Sequence, residues 1–310
     1  MADRLFKTGR FQHVQPTQQN GVLASAETEG SLPQLHGMLG HIWGIDVHNW
    51  KIRCGLKVKD PVEAASKDEQ KVLNSKEGLY RRFLIFKNIY VAEMPTVICE
   101  GKTDNIYLLH AIRSLASAFS TLASNVEGQV KLTVRIFKYP QTNTGRIMGL
   151  TGGTGSFLSF IPSYSKKVKR FAAPGMQNPV ILLMDHDEGA AKILAMLKGQ
   201  FKKKIDSDQA FIRACGNLYV VTTPLAAGKA ASLIEDCFNA ETKDVKIDGK
   251  AFKIDKAHGE NDQYYGKFIF SKHVEKHASS IDFSGFSELL SRIAAVIEAH
   301  KASLLDPDAD

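Results

Sequence analysis

Cysteine is scarce in this chain. Four occur in 310 residues, Cys54, Cys99, Cys215 and Cys237, and no two are spaced as a CxxC pair. That spacing excludes a zinc ribbon. Cys99 lies inside an apolar run, where a thiol behaves as a small buried hydrophobe, so free thiols and a reducing compartment are expected. No run approaches 18 apolar residues, so no membrane-spanning helix and no membrane partner are expected. The opening Met1-Ala2-Asp3-Arg4-Leu5-Phe6-Lys7 is followed by no apolar segment of the secretory kind. The cytoplasm is therefore the expected location.

Several nucleotide and metal motifs are missing as well. Gly101-Lys102-Thr103 resembles the end of a P-loop, but the earlier glycine that loop requires would fall on Thr96. Asp185-His186-Asp187-Glu188-Gly189 fails as a calcium loop, because Gly189 takes a ligand position and Ala190 stands where the obligatory glycine belongs. Thr151–Ser156 is not GxGxxG, and Ser156 is not in a GxSxG elbow. His36, His41 and His48 match no usual zinc spacing.

What is present is an ordinary globular composition with a basic balance. The chain is 44% hydrophobic and 24% charged, long enough for one large domain or two of ordinary size. Forty Lys and Arg against 33 Asp and Glu give a formal charge of +7, which favours polyanionic partners. Residues 1–50 carry a basic-aromatic start, a polar stretch, and apolar positions Leu32, Leu35, Met38, Leu39, Ile42 and Ile45 at helical spacing. Residues 51–78 are charged and read as a linker or solvated helix. Gly78–Tyr90 interleaves Tyr80, Phe83, Phe86 and Tyr90 with Arg81, Arg82 and Lys87. Such a pattern suits stacking on bases and pairing with phosphates, or equally an amphipathic helix with its rings turned inward.

From Pro95 the pattern becomes alternating strand and helix. Strands are expected at Thr96–Glu100, Val130–Tyr139, Val180–Met184 and Leu218–Thr222. A helix capped by Thr103 or Asp104 should bury Ile106, Leu109, Ile112, Leu115, Ala116 and Phe119. Further helices are expected after the glycine-rich turn Thr151–Gly155, over Ala190–Phe201, at Ser232–Phe238, and over Phe283–Leu304, with a turn at Asp248-Gly249. This order predicts an α/β fold with a mostly parallel sheet flanked by helices. Ligands of such sheets gather at the carboxyl ends of the strands.

Three features fall at those ends: Glu100, the Gly152-Gly153 turn, and Asp185 with Asp187. Carboxylates make a hard oxygen site that favours Mg²⁺ or Mn²⁺ over zinc. The Asp-x-Asp spacing on extended backbone puts both side chains on one side; as an alternative, both are turn residues after a strand. Lys102 is a candidate phosphate ligand, and Glu188, Glu235 and Asp236 are candidates for a second metal or, alternatively, helix-start acids. Lys267, in Tyr264-Tyr265-Gly266-Lys267, is a further phosphate candidate.

These residues resemble a TOPRIM domain, the family shared by topoisomerases, bacterial primases, OLD-type nucleases and ribosomal-RNA maturases. The matching segments are Val97-Ile98-Cys99-Glu100-Gly101-Lys102-Thr103-Asp104 and Met184-Asp185-His186-Asp187. The resemblance implies a Rossmann-like sheet and metal and catalytic roles for Glu100, Asp185 and Asp187, with Lys102 assisting and Glu235 and Asp236 as further metal candidates. Read from the residues themselves, the candidate contacts to nucleic acid are Lys102, Gly152, Gly153, Thr154, Lys267, Arg81 and Arg82.

A wider resemblance is to the C-terminal half of retron reverse transcriptases with a fused TOPRIM domain. It is carried by Leu5-Phe6-Lys7-Thr8-Gly9, Asn20-Gly21-Val22-Leu23, Leu35-His36-Gly37-Met38-Leu39-Gly40-His41-Ile42, Leu150-Thr151-Gly152-Gly153-Thr154, Asn217-Leu218-Tyr219-Val220-Val221, Ile247-Asp248-Gly249-Lys250 and Tyr265-Gly266-Lys267. It implies a mainly helical thumb-like segment over 1–50, a linker and basic-aromatic helix over 51–92, and a TOPRIM domain over 93–310. The Tyr-x-Asp-Asp palm motif is missing, so no polymerase activity is expected. The implied function is a Mg²⁺-dependent nuclease of DNA or RNA in a retron-type anti-phage system, with retron nucleic acid or a reverse transcriptase as partner. The alternative is a non-catalytic nucleic-acid-binding module.

Overall fold

A computed structural model describes residues 75–139, 142–206, 209–226, 228–254 and 263–305. The chain divides into two units, Met1–Gln70 and Lys71–Asp310, and all the described residues belong to the second. The expected thumb-like helix at 32–45, the three histidines His36, His41 and His48, and Cys54 lie outside the described residues.

The fold is α/β, built on a five-stranded sheet in the order β4-β1-β5-β7-β6. The strands are β1 (Thr96–Cys99), β4 (Arg135–Ile136), β5 (Val180–Met184), β6 (Ile212–Cys215) and β7 (Leu218–Thr222). The first four in that order are parallel, and only β6 runs antiparallel, to β7. Central parallel strands are covered on both faces and read as unbroken apolar runs. Val180–Met184 is such a run, and all five of its residues are buried.

Strand alternation sends Val97, Cys99, Ile181, Leu183, Tyr219 and Val221 to one face. There they join a single apolar cluster with helices α2 (Asp104–Ser114), α7 (Lys267–His277) and α8 (Ser287–Leu305). Ile98, Leu182 and Val220 are equally buried and point the other way. That side belongs to α4 (Thr154–Val168) and α5 (Glu188–Gly199), which pack on each other. Each fully buried aliphatic side chain contributes about 1.5–3 kcal/mol relative to exposure.

The basic-aromatic stretch folds as α1 (Ser75–Ile85) continued by a π-helical turn, Phe86–Tyr90. Its rings turn inward: Phe83, Phe86 and Tyr90 are buried, and Phe86 and Tyr90 pack on Phe171. Asn217 clamps this element to the sheet, donating to the carbonyls of Ile89 and Asn178 at 2.9 and 2.8 Å.

Three expectations are corrected. The alternating run Val130–Tyr139 is not one strand. Gln129–Leu132 (β3) pairs with Ala123–Val126 (β2) as a hairpin, turned by Glu127 and Gly128 at positive φ, and only Arg135–Ile136 joins the main sheet. Helix α2 ends at Ser114 and buries Tyr107, Leu108, Ala111 and Ile112; of the expected face, Ile112 is buried and Leu115, Ala116 and Phe119 pack on the cluster just beyond the helix, while Ile106 and Leu109 are only half-buried. The cap is also different. Thr103 stands at the N-cap position without a capping hydrogen bond, while the Asp104 carboxylate reaches back to accept from the Gly101 N–H at 2.8 Å. The short pieces α3 (Asn143–Met148), α6 (Ala240–Lys243), β8 (Ala251–Phe252) and β9 (Tyr264–Tyr265) complete the described elements, together with 3-10 turns at Ile234–Cys237 and Ser284–Phe286.

Helix α8 is fastened to the sheet by a buried histidine. The carbonyl of Met176 can only accept, so His300 Nε2 carries the proton that it donates at 2.8 Å, and the Tyr219 hydroxyl donates to Nδ1 at 3.0 Å. Burial lowers the His300 pKa, the Met176 carbonyl offsets this in part, and Arg213 adds to it. The contribution to stability is therefore complete above the unfolded value near 6.5 and is lost as pH falls through the lower folded value. Urea unfolding should show His300→Gln costing about 1–2 kcal/mol at pH 8, with a smaller difference from the parent at pH 5. A difference that does not shrink at pH 5 would contradict the neutral assignment.

Candidate metal and phosphate site

The site is built where β1 and β5 end. Their register pairs Cys99 with Leu183, so Glu100 and Asp185 leave adjacent parallel strands within one residue of each other. The Glu100 N–H still belongs to the sheet, donating to the Leu183 carbonyl at 2.9 Å. The glycine-rich turn then comes over the end of β1. Gly152 and Gly153 both have positive φ, a backbone that glycine adopts without strain. This turn delivers the Gly153 N–H to the Glu100 carbonyl at 3.3 Å and the Thr154 N–H to Glu100 Oε1 at 3.0 Å. The other oxygen, Oε2, is buried with no hydrogen-bond partner. Tyr139, fully buried, holds the same corner by donating to the carbonyls of Cys99 and Glu100 at 2.8 and 3.2 Å.

Asp185 and Asp187 are set by a second corner. Asp185 Oδ1 accepts from the Ile234 N–H at 2.8 Å, at the start of the 3-10 turn. The intervening His186 has its backbone paired with Ser232, and its N–H also reaches Thr223 Oγ1 at 2.9 Å. Asp187 caps α5, with Oδ1 accepting from the Ala190 N–H at 3.0 Å. The alternative of plain turn residues thus holds in part for Asp187, whose carboxylate also acts electrostatically on Glu100.

Glu235 is wholly buried and paired with Lys267, Nζ to Oε2 at 3.1 Å. Its Oε1 has no hydrogen-bond partner. Lys267 opens α7, which brings it to the acids.

The electrostatics mark these groups as one cluster. Burial is the largest cause raising the Asp185 pKa to about 7, followed by Asp104, with Lys267 and the Ile234 N–H opposing. Burial also raises Glu100, followed by Asp187, with the Thr154 N–H opposing and Asp104 adding. Glu235 is raised by burial first, with Lys267 opposing and Asp104 adding. Asp104 acts on all three. Its sequence position suggested a helix cap and the end of the Val97–Asp104 segment, with no part among the acids.

The structure separates the other candidates. Asp236 turns away from the cluster: it is exposed, accepts from its own Leu233 N–H at 2.9 Å, and lies 3.9 Å from Lys243. Its hydrogen bond is that of the helix-start acid given as the alternative reading. Glu188 is an exposed first-turn acid of α5. Lys102 is at the rim, its Nζ 5.5 Å from the ring centre of the exposed Phe268. Arg81 lies by α4, with Nη2 3.5 Å from Ser163 Oγ, and Arg82 is in the same neighbourhood rather than among the acids.

Among the described residues no three His, Cys, Asp or Glu side chains converge as a ready-made metal cage. A zinc site would need one. Mg²⁺ takes one or two carboxylates and completes its shell with water and phosphate. The all-oxygen donors and the unpartnered, buried Oε2 of Glu100 and Oε1 of Glu235 fit that kind of ion. No known protein family matches the chain, and no solved structure matches it.

Proposed function

We propose that the chain is a Mg²⁺- or Mn²⁺-dependent nuclease of the TOPRIM type, hydrolysing phosphodiester bonds of DNA or RNA in a retron-type anti-phage system. The observation that supports this reading is the register that sets Glu100 and Asp185 one residue apart at neighbouring parallel strand ends, with the α4 N-terminus seated on Glu100. Of Glu100, Asp185 and Asp187, one or two would hold the ion directly and the remainder would reach it through its bound water. Bound there, a divalent ion supplies charge for the phosphate oxygens and acidifies water.

The chain's own groups supply the rest. Lys267 balances Glu235 and acts on Asp185 and Asp104, so a phosphate diester approaching the acids meets a cation among them. Lys102 and the glycine turn line the approach.

The test is a panel of labelled single- and double-stranded DNA and RNA incubated with Mg²⁺, Mn²⁺ or EDTA, beside Glu100→Gln. Cleavage by the parent with metal is expected, falling roughly 10²-fold or more in the variant. Binding that persists in EDTA, with no cleavage under either metal, would replace the nuclease with a non-catalytic binding module.

A further inference from the structure

Away from the acids, the end of α4 forms an open pocket of about 270 Å³ lined by Arg82, Lys166, Lys167 and Arg170. Among the described residues, all four that line it are cations. Behind them, Ser163 Oγ accepts from Lys167 Nζ at 2.7 Å and from Arg81 Nη2 at 3.5 Å, so α1 and α4 are joined through one hydroxyl with a cation on each side. Cations at a helix C-terminus complement its dipole, which accounts for Lys166 and Lys167. It does not account for Arg82 or Arg81, which come from α1. Burial lowers the Lys167 pKa most, and Arg81, Arg82, Arg170 and Lys166 lower it further by repulsion among positive charges. A bound anion removes that repulsion.

We propose that this pocket is a phosphate-backbone site that anchors nucleic acid apart from the acid cluster. The partner follows from the charge and from the helix. The N-terminus of α4 is on Glu100 and its C-terminus carries the cations, so the two sites sit at opposite ends of one 15-residue rod. At about 1.5 Å per residue the rod spans roughly 20 Å, or about six base pairs of duplex at 3.4 Å per step. A continuous polyanion can occupy both ends at once, and a small phosphate cannot. The inference rests on the nuclease reading for nucleic acid as the partner, but it is read out by binding alone.

The experiment is fluorescence anisotropy of a labelled 30-base-pair duplex with the full chain in EDTA, titrated at several KCl concentrations. Lys166→Ala/Arg170→Ala should bind more weakly, by about tenfold near 0.1 M salt, and its log–log salt dependence should be shallower by about 2, since each lost phosphate contact removes about 0.9. Lys166→Glu/Arg170→Glu should weaken binding further. Circular dichroism melting checks that both variants fold, and if the reversed-charge variant does not, the alanine variant decides alone. Parent and alanine variant with the same affinity and salt slope would overturn the proposal, even if the parent cleaves. A parent that never cleaves, with the slope difference intact, would leave this site standing and remove the nuclease.

Discussion

Asp185→Asn should abolish metal-dependent cleavage, by roughly 10³-fold or more, while making the metal-free protein more stable at pH 8. Both effects come from one carboxylate. Its ordinary pKa of 3.8 is raised to about 7, by burial first and Asp104 next. Between those values the folded state holds a proton that the unfolded state has released. Its stability is full below about 3.8 and is lost as pH rises through about 7. At pH 8 the native protein therefore carries a buried charge that asparagine lacks, and asparagine still offers Oδ1 to the Ile234 N–H. A rise of several degrees in Tm is expected in EDTA, since about 1 kcal/mol corresponds to roughly 2–4 °C at this size. Mg²⁺ should raise the Tm of the parent and leave the variant almost unmoved. A variant that melts below the parent in EDTA at pH 8, or that still cleaves, would sink this account of Asp185.

Gly189→Ala is expected to disrupt both stability and the site. A methyl there would stand 2.1 Å from Thr154 Oγ1 and 2.8 Å from both Thr154 Cβ and Cγ2. Thr154 is branched at Cβ and cannot swing clear by a rotamer change alone, so the starts of α4 and α5 must part. Overpacking of this kind costs about 1–3 kcal/mol. It also moves the Thr154 N–H off Glu100 Oε1, so metal-dependent activity should fall with stability. Thr154→Gly removes all three clashing atoms, and the double variant should recover most of the loss. Denaturant unfolding of the four proteins gives the coupling directly. If the two changes simply add, the contact is not what fixes Gly189.

The residues most legible in the sequence were those whose meaning is local. Val97–Glu100 and Val180–Asp187 announce buried parallel strands ending in acid, and Gly152-Gly153 announces a turn that only glycine makes easily. What stayed hidden was how each acid is held. The Asp104 carboxylate is fixed locally by the Gly101 N–H, whereas Glu235 meets Lys267 from α7 and Asp185 an N–H of the 3-10 turn, partners far along the chain. The strand β6 was missed: it is four residues long, and Arg213 interrupts its apolar pattern. Alternation over Val130–Tyr139 was real, but period two does not say which strand is the partner, and the run was shared between a hairpin and the sheet edge.

The parallel pairing of β1 with β5 also has a consequence for how the protein comes into being. Parallel neighbours cannot be closed by a tight turn, and every pairing waits for a long crossover to be made. Glu100, Asp185, Glu235 and Lys267 are widely spread along the chain and meet only when those crossovers are complete. A chain still emerging from the ribosome holds the acids one at a time, each in water. Their mutual repulsion is met late in folding, as is the cation that balances it.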